Sequence, residues 1–164
     1  IDGLPEGRYI ITVSDAQGTY PFLLSLPAAS YYVVVRHRNH LPVASAAPIA
    51  FDVNGATVAL NFTTGAAQAY GSDAQVLAGS LYCMWAGDVD RNGVLKYVGA
   101  GNDRDPQLQA IGGIVPTNTI TGYRVEDVDM DGTVKYIGAG NDRDPILVNI
   151  GGVVPTSVRV AQLP

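Results

Sequence analysis

Asp88, Asp90 and Asn92 stand at alternate positions ahead of Gly93, and Asp127, Asp129 and Asp131 stand the same way ahead of Gly132. Oxygen-bearing side chains at this spacing, with glycine where the chain turns sharply, form the head of a loop that wraps a hard divalent cation. The seventh loop position, Val94 and Thr133, adds a backbone carbonyl in such loops. Calcium takes six to eight oxygens, so a later acid is needed. Counting to the twelfth position lands on Gly99 and Gly138, which have no side chain to give. The acid arrives further on, as Asp103 or Asp105 in the first copy and Asp142 or Asp144 in the second, after an insertion that lengthens the loop. If Asp105 caps the helix that follows, Asp103 is the freer ligand; if the helix begins earlier, Asp105 points back at the ion. Two calcium sites are the cofactors this pattern implies. Magnesium fits less well, because it keeps its waters rather than entering an all-protein cage.

The loops are one unit built twice, at an offset of 127 − 88 = 39 residues. Lys96-Tyr97 returns as Lys135-Tyr136, Asn102-Asp103-Arg104-Asp105-Pro106 as Asn141-Asp142-Arg143-Asp144-Pro145, and Val115-Pro116-Thr117 as Val154-Pro155-Thr156. Aspartates in such loops can also serve metal-free as Asx turns. Two copies in register, each with a displaced acid, favour the cation. Without it the carboxylates crowd one another, so binding is expected to order the loops.

The elements that must position these acids are short. Asp105-Pro106 and Asp144-Pro145 read as helix starts, with Asp as cap and Pro at the first helical position. Leu108 with Ile111, and Leu147 with Ile150, give one-sided spacing, and Gly112-Gly113 and Gly151-Gly152 stop the helix. A helix this short needs a partner to pack on. The repeats run 87–120 and 126–159, inside a module spanning 86–164.

Ahead of them, residues 1–85 read as β. Tyr9–Val13 and Phe22–Leu26 are strand-like runs around the turn signal 15–18, and Ile49–Val53, Asn54-Gly55 and Thr57–Phe62 suggest a hairpin. Tyr31–Arg38 is the candidate central strand, and 66–79 reads as loop or weak helix. The fold class expected is mostly β with small α: an Ig-like β-sandwich, then the tandem loop–helix module. Met84 and Trp85 are expected at the seam, as packing residues.

The chain has 164 residues, a net charge of −5 and 15% charged residues. No basic cluster outweighs the acids, which argues against a nucleic-acid surface. Cys83 is alone, so no intrachain disulfide forms. No stretch is long enough to span a membrane, and the opening Ile1-Asp2-Gly3 reads like the interior of a longer protein.

Other chemistry is less sharply written. His37 and His40 have no paired carboxylate or thiol near them in sequence and read as strand-end and loop residues. Gly99-Ala100-Gly101 lacks the strand–loop–helix setting of a phosphate loop. Arg104 and Arg143 are expected to form salt bridges beside the loop acids, and Lys96 and Lys135 to stay outside the coordination shell. No Ser/His/Asp or Cys/His arrangement stands out, so no enzyme is expected.

At Gly87-Asp88-Val89-Asp90-Arg91-Asn92-Gly93 the duplicated loop–helix resembles a dockerin module, in which tandem calcium loops each precede a helix. A wider resemblance covers nearly the whole chain. Tyr31–Leu41, Trp85-Ala86-Gly87-Asp88 and the paired Lys-Tyr and Asn-Asp-Arg-Asp-Pro elements are similar to C-terminal regions of large secreted, haemagglutinin-like surface proteins of Bacteroidetes-type bacteria. That resemblance implies an extracellular, cell-surface setting. The expected role is a non-catalytic, calcium-stabilised structural or adhesive segment, packing on other domains or on copies of itself in a fibre. Its alternatives are a dockerin-type docking module and an accessory domain of a secreted hydrolase.

Overall fold

The computed structural model describes residues 6–14, 19–51 and 58–164. These are mostly β, with two short helices. The first two apolar runs form β1 (Glu6–Ser14) and β2 (Thr19–Pro27), an antiparallel pair with Ile10 opposite Leu23. The turn at 15–18 and the Asn54-Gly55 turn lie outside the described residues.

Four short strands follow: β3 (Ala29–Tyr31), β4 (Val34–Val35), β5 (Val43–Ala44) and β6 (Ile49–Phe51). The run 31–38 is therefore not one strand. β3 pairs with β6, and β4 pairs with β5. Ser45 fixes the break: its hydroxyl accepts the Val33 N–H at 3.1 Å, and its own N–H donates to the Val33 carbonyl at 2.9 Å. Val34 and Val35 are exposed, so this run does not carry a core. Residues 58–62, the expected second arm of a hairpin, form no strand; β6 finds its partner in β3 instead. Within 66–79 lie a 3-10 turn (Ala66–Gln68) and β7 (Gln75–Ala78), which pairs with β8 (Leu81–Met84). Val43, Ala69 and Ala74 are buried together, with Phe62 and Met84 against them.

The repeats contain β9 (Val94–Lys96), α1 (Arg104–Ala110), β10 (Thr119–Thr121), β11 (Thr133–Lys135), α2 (Arg143–Asn149) and β12 (Val158–Val160). Their pairing crosses from one copy to the other. β10, the exit strand of the first copy, pairs with β11 in the second loop, Ile120 opposite Val134. β12, the exit strand of the second, pairs with β9 in the first loop, Arg159 opposite Leu95. The helices cross likewise. Ile111, at the C-cap of α1, is buried with Val134 and Tyr136, and Leu108 packs on them. Ile150, at the C-cap of α2, is buried with Leu95 and Leu41, and Leu147 packs there. Val89, Val128 and Ile146 form a third cluster between the copies. Each seven-residue helix is too short to persist alone, and each is held by the loop of the other copy.

Leu41 carries the N-terminal half into this arrangement, fully buried against Leu95 and Ile150. Trp85 packs on the same cluster beneath the Arg159 guanidinium, 3.5 Å from its ring centre, and donates its indole N–H to the Asp73 carbonyl at 3.0 Å. Met84 packs on the Val43 cluster instead, within the N-terminal half, so of the two only Trp85 packs where the N-terminal half meets the repeats.

Mutual closure has a measurable consequence. Leu95→Ala should cost about 2–5 kcal/mol and should raise amide exchange around β11 as much as around β9. Exchange raised only around β9 would show that the copies are independent.

Candidate metal centres

Side-chain oxygens wind each loop head. Asp90 Oδ1 accepts the Asn92 N–H at 3.1 Å, Asn92 Oδ1 accepts the Val94 N–H at 2.7 Å, and Asp88 Oδ2 accepts the Gly93 N–H at 3.1 Å. In the second loop Asp129 Oδ1 accepts from Asp131 at 3.2 Å, Asp131 Oδ1 from Thr133 at 2.7 Å, and Asp127 Oδ2 from Gly132 at 3.2 Å. Arg91 and Met130 sit at φ 62° and 63°, a left-handed conformation that costs a non-glycine residue about 1–3 kcal/mol. The turns around them hold it. Val94 and Thr133 are the first residues of β9 and β11, where each loop runs into its ladder.

Asp103 closes the first loop from below. It is fully buried. Its Oδ1 accepts the N–H groups of Val89 (2.7 Å) and Asp90 (3.4 Å), its Oδ2 that of Lys96 (2.8 Å), and its own N–H donates to the Lys96 carbonyl (2.8 Å). Asp142 repeats this with Val128 (2.6 Å), Asp129 (3.3 Å) and Lys135 (2.7 Å), and with the Lys135 carbonyl at 2.9 Å. One carboxylate thus staples the head of each loop to its strand.

The outcome is two acidic clusters. One ligand oxygen each of Asp88, Asp90 and Asp103 lies within 4.8 Å of the others, and Asp127, Asp129 and Asp142 match them. Either cluster could hold a metal ion. Asp105 and Asp144 are not in these groups. The Asn102 amide donates to Asp105 Oδ2 at 2.8 Å, and the Asn141 amide to Asp144 Oδ2 at 2.7 Å, with Arg104 and Arg143 beside them at 3.9 and 3.8 Å. The helices begin at Arg104 and Arg143, ahead of the expected starts. Asn102, not Asp105, does the capping: its Oδ1 accepts the N–H groups of Arg104 (3.2 Å) and Asp105 (2.9 Å), and Asn141 Oδ1 accepts that of Asp144 (3.0 Å). The earlier start does not turn Asp105 back toward the cluster, because Asn102 holds its carboxylate. Lys96 Nζ donates to the Ala100 carbonyl at 2.6 Å and Lys135 Nζ to that of Ala139, so both lysines brace the inserted glycine-rich stretch.

Like charges at about 4 Å repel by about 4 kcal/mol at an effective dielectric near 20. Burial adds to this. It pushes the Asp103 carboxyl up to about 7 and that of Asp142 up to about 6, against the pull of the backbone N–H donors. Burial also raises Asp88 and Asp129.

Two residues of the N-terminal half complete the site. Arg38 Nη2 bonds Asp127 Oδ2 at 3.0 Å in a nearly buried ion pair. Asn39, fully buried, accepts the N–H groups of Gly87 (2.8 Å) and Asp88 (3.0 Å) on its carbonyl. Its side-chain amide donates to the carbonyls of Val125 (2.9 Å) and Asp127 (2.7 Å), so one residue holds the entrances of both loops. Asp127 Oδ1 is left buried without a hydrogen-bond partner. Sequence reasoning missed both residues, whose only signal is a polar Arg-His-Arg-Asn-His stretch closing an apolar run. It also missed Gln107, fully buried on α1, whose amide donates to the Asp142 carbonyl at 3.0 Å.

No family model, no curated protein and no solved structure matches this chain. The class the site defines is a duplicated, mutually closed loop–helix protein with two acidic clusters.

Two measurements test this electrostatic picture. Asp103 and Asp142 bind protons more tightly folded than unfolded, where aspartate titrates near ~3.9. Their contribution to metal-free stability is therefore complete below about pH 4 and lost as pH rises through about 6 for Asp142 and about 7 for Asp103. Melting curves of chelator-treated protein between those limits should fall with pH, and a rise would contradict it. Arg38→Ala leaves Asp127 buried and unpaired, at a cost of about 3–5 kcal/mol by denaturant unfolding without metal.

Proposed function

We propose that each loop holds one calcium ion and that calcium makes this chain a rigid, non-catalytic structural or adhesive segment of an extracellular bacterial surface protein or fibre. The observation that carries it is the carboxylate cluster formed twice, two of its three acids buried each time, with Asp127 Oδ1 of the second facing no donor. A cation removes the repulsion and the orphaned acceptor together. All the donors at hand are oxygens, which select a hard ion over a soft one. Asp103 and Asp142 spend most of their lone pairs on backbone N–H groups, leaving room for one metal bond each. Asn92, Asp131 and the Val94 and Thr133 carbonyls would supply further oxygens, which suits calcium's larger shell better than magnesium's strict octahedron.

A non-catalytic role is supported by the same commitment. Carboxylates pinned by backbone donors serve as ligands and hinge pins, not as a hydrolytic pair. The reading carries with it an Ig-like sandwich over 1–85 and a dockerin-like module over 86–164, supported by the strand content of the first and the duplicated loop–helix order of the second. Partners of the same kind, other domains or further copies, are supported by Ile114 and Val153, 87% and 86% exposed at equivalent positions. Each is a bare apolar tip that a neighbour would cover.

Calorimetric titration of calcium into chelator-treated protein, with melting curves alongside, tests it. Two sites and a higher melting temperature are expected, with stabilisation of about 2.7 kcal/mol at ~100 times the dissociation constant. Asp88→Asn with Asp90→Asn should remove one site, and magnesium should bind more weakly. No heat and no shift in melting would reduce the acids to turn residues.

A further inference from the structure

Arg36, His37, Arg38, His40 and Arg91 line one cleft, of about 590 Å³, between the N-terminal half and the first loop. This is the size range of small-molecule sites. Three arginines in one cleft are unexpected in a chain of net charge −5. Their pairing makes it more so. Among the described residues Arg38, Arg104, Arg124, Arg143 and Arg159 each face a carboxylate. Arg36 and Arg91 have no such partner there, and both line this cleft.

Arg91 is also held in place. Its Nε donates to the Arg38 carbonyl at 3.0 Å, which fixes the guanidinium plane and leaves the terminal nitrogens free to donate. The turn does not require arginine: the second loop adopts the same backbone with Met130, at φ 63° against 62°. The second loop therefore lacks this cation. His37 and His40 stand edge to face on the same wall, their Nδ1 atoms paired at 2.8 Å, and burial lowers both imidazoles, so they line the cleft as neutral rings.

We propose that this cleft binds an oxyanion, the carboxylate or sulfate group of a small acidic ligand, between the guanidinium groups of Arg36 and Arg91. A guanidinium presents a planar fork of donors that matches two oxygens of such a group at once. Asp88, Asn92 and Val94 line the loop side of the same cleft. A calcium ion in that loop would cancel the charge of Asp88 and strengthen anion binding, an effect that rests on the calcium reading, whereas the arginines do not.

The test is calorimetric titration of sodium sulfate, sodium glucuronate and neutral glucose into the whole chain, with calcium and after chelation. The variants are Arg91→Met, which copies the second loop's own residue, and the double variant Arg36→Gln/Arg91→Met. Expected is one site for sulfate or glucuronate, none for glucose, and binding roughly tenfold weaker or worse in both variants while calcium titration is unchanged. Sulfate alone or glucuronate alone would each support the site and identify which group it takes. Absence of anion binding in the wild type, or equal affinity in Arg91→Met, would overturn it. Should the double variant melt lower, Arg91→Met decides, because Met130 shows that its backbone tolerates methionine. Anion binding without calcium binding would keep the cleft and remove the calcium reading; the converse would do the opposite.

Discussion

Two loops that each gather three carboxylates within 4.8 Å push themselves apart unless their backbones are held from outside, and the holding comes from the other copy. β12 pairs with the first loop and β10 with the second; α2 covers Leu95 and α1 covers Val134. A single copy would have a helix without a floor and a loop strand without a partner. Hydrophobic burial contributed by each copy thus offsets electrostatic repulsion in its twin. It also explains why a helix of only seven residues suffices: its one buried face lies on the neighbouring loop, anchored by Ile111 or Ile150.

The copies are not electrostatically equal, and the N-terminal half takes up the difference. The second loop has Asp131 where the first has Asn92, one carboxylate more. Arg38 brings a buried cation to that loop, against Asp127. The first loop instead displays Arg91, outward into the cleft. Asn39 then ties both entrances with four hydrogen bonds from one side chain and one carbonyl. The join between the halves is thereby wired into the acidic loops. Whatever occupies the loops acts on the seam as well, because Asp127 belongs to both.

Much of this was written in the sequence. Alternating Asp and Asn before glycine can do little except wind a loop around its own oxygens, and the exact return of that pattern after 39 residues (127 − 88) announced two such loops. The helices and their glycine stops were legible for the same local reason, as were β1 from its β-branched run and β2 from its short apolar one. Local rules failed where two partners competed for one segment. Tyr31–Arg38 has strand composition throughout, but Ser45 takes Val33 out of the ladder. Asp105-Pro106 looks like a cap, yet Asn102 reaches the free N–H groups first.

By itself, then, the sequence determined the loops, the short helices and the β character, because each depends on residues a few positions apart. Only the tertiary structure decided that Asp103, and not Asp105, joins Asp88 and Asp90. It alone crossed the copies, and it alone brought Arg38 and Asn39 to a loop nearly ninety residues away (127 − 38 = 89). Those choices depend on which buried groups find partners when the whole chain is packed. No spacing rule records that competition.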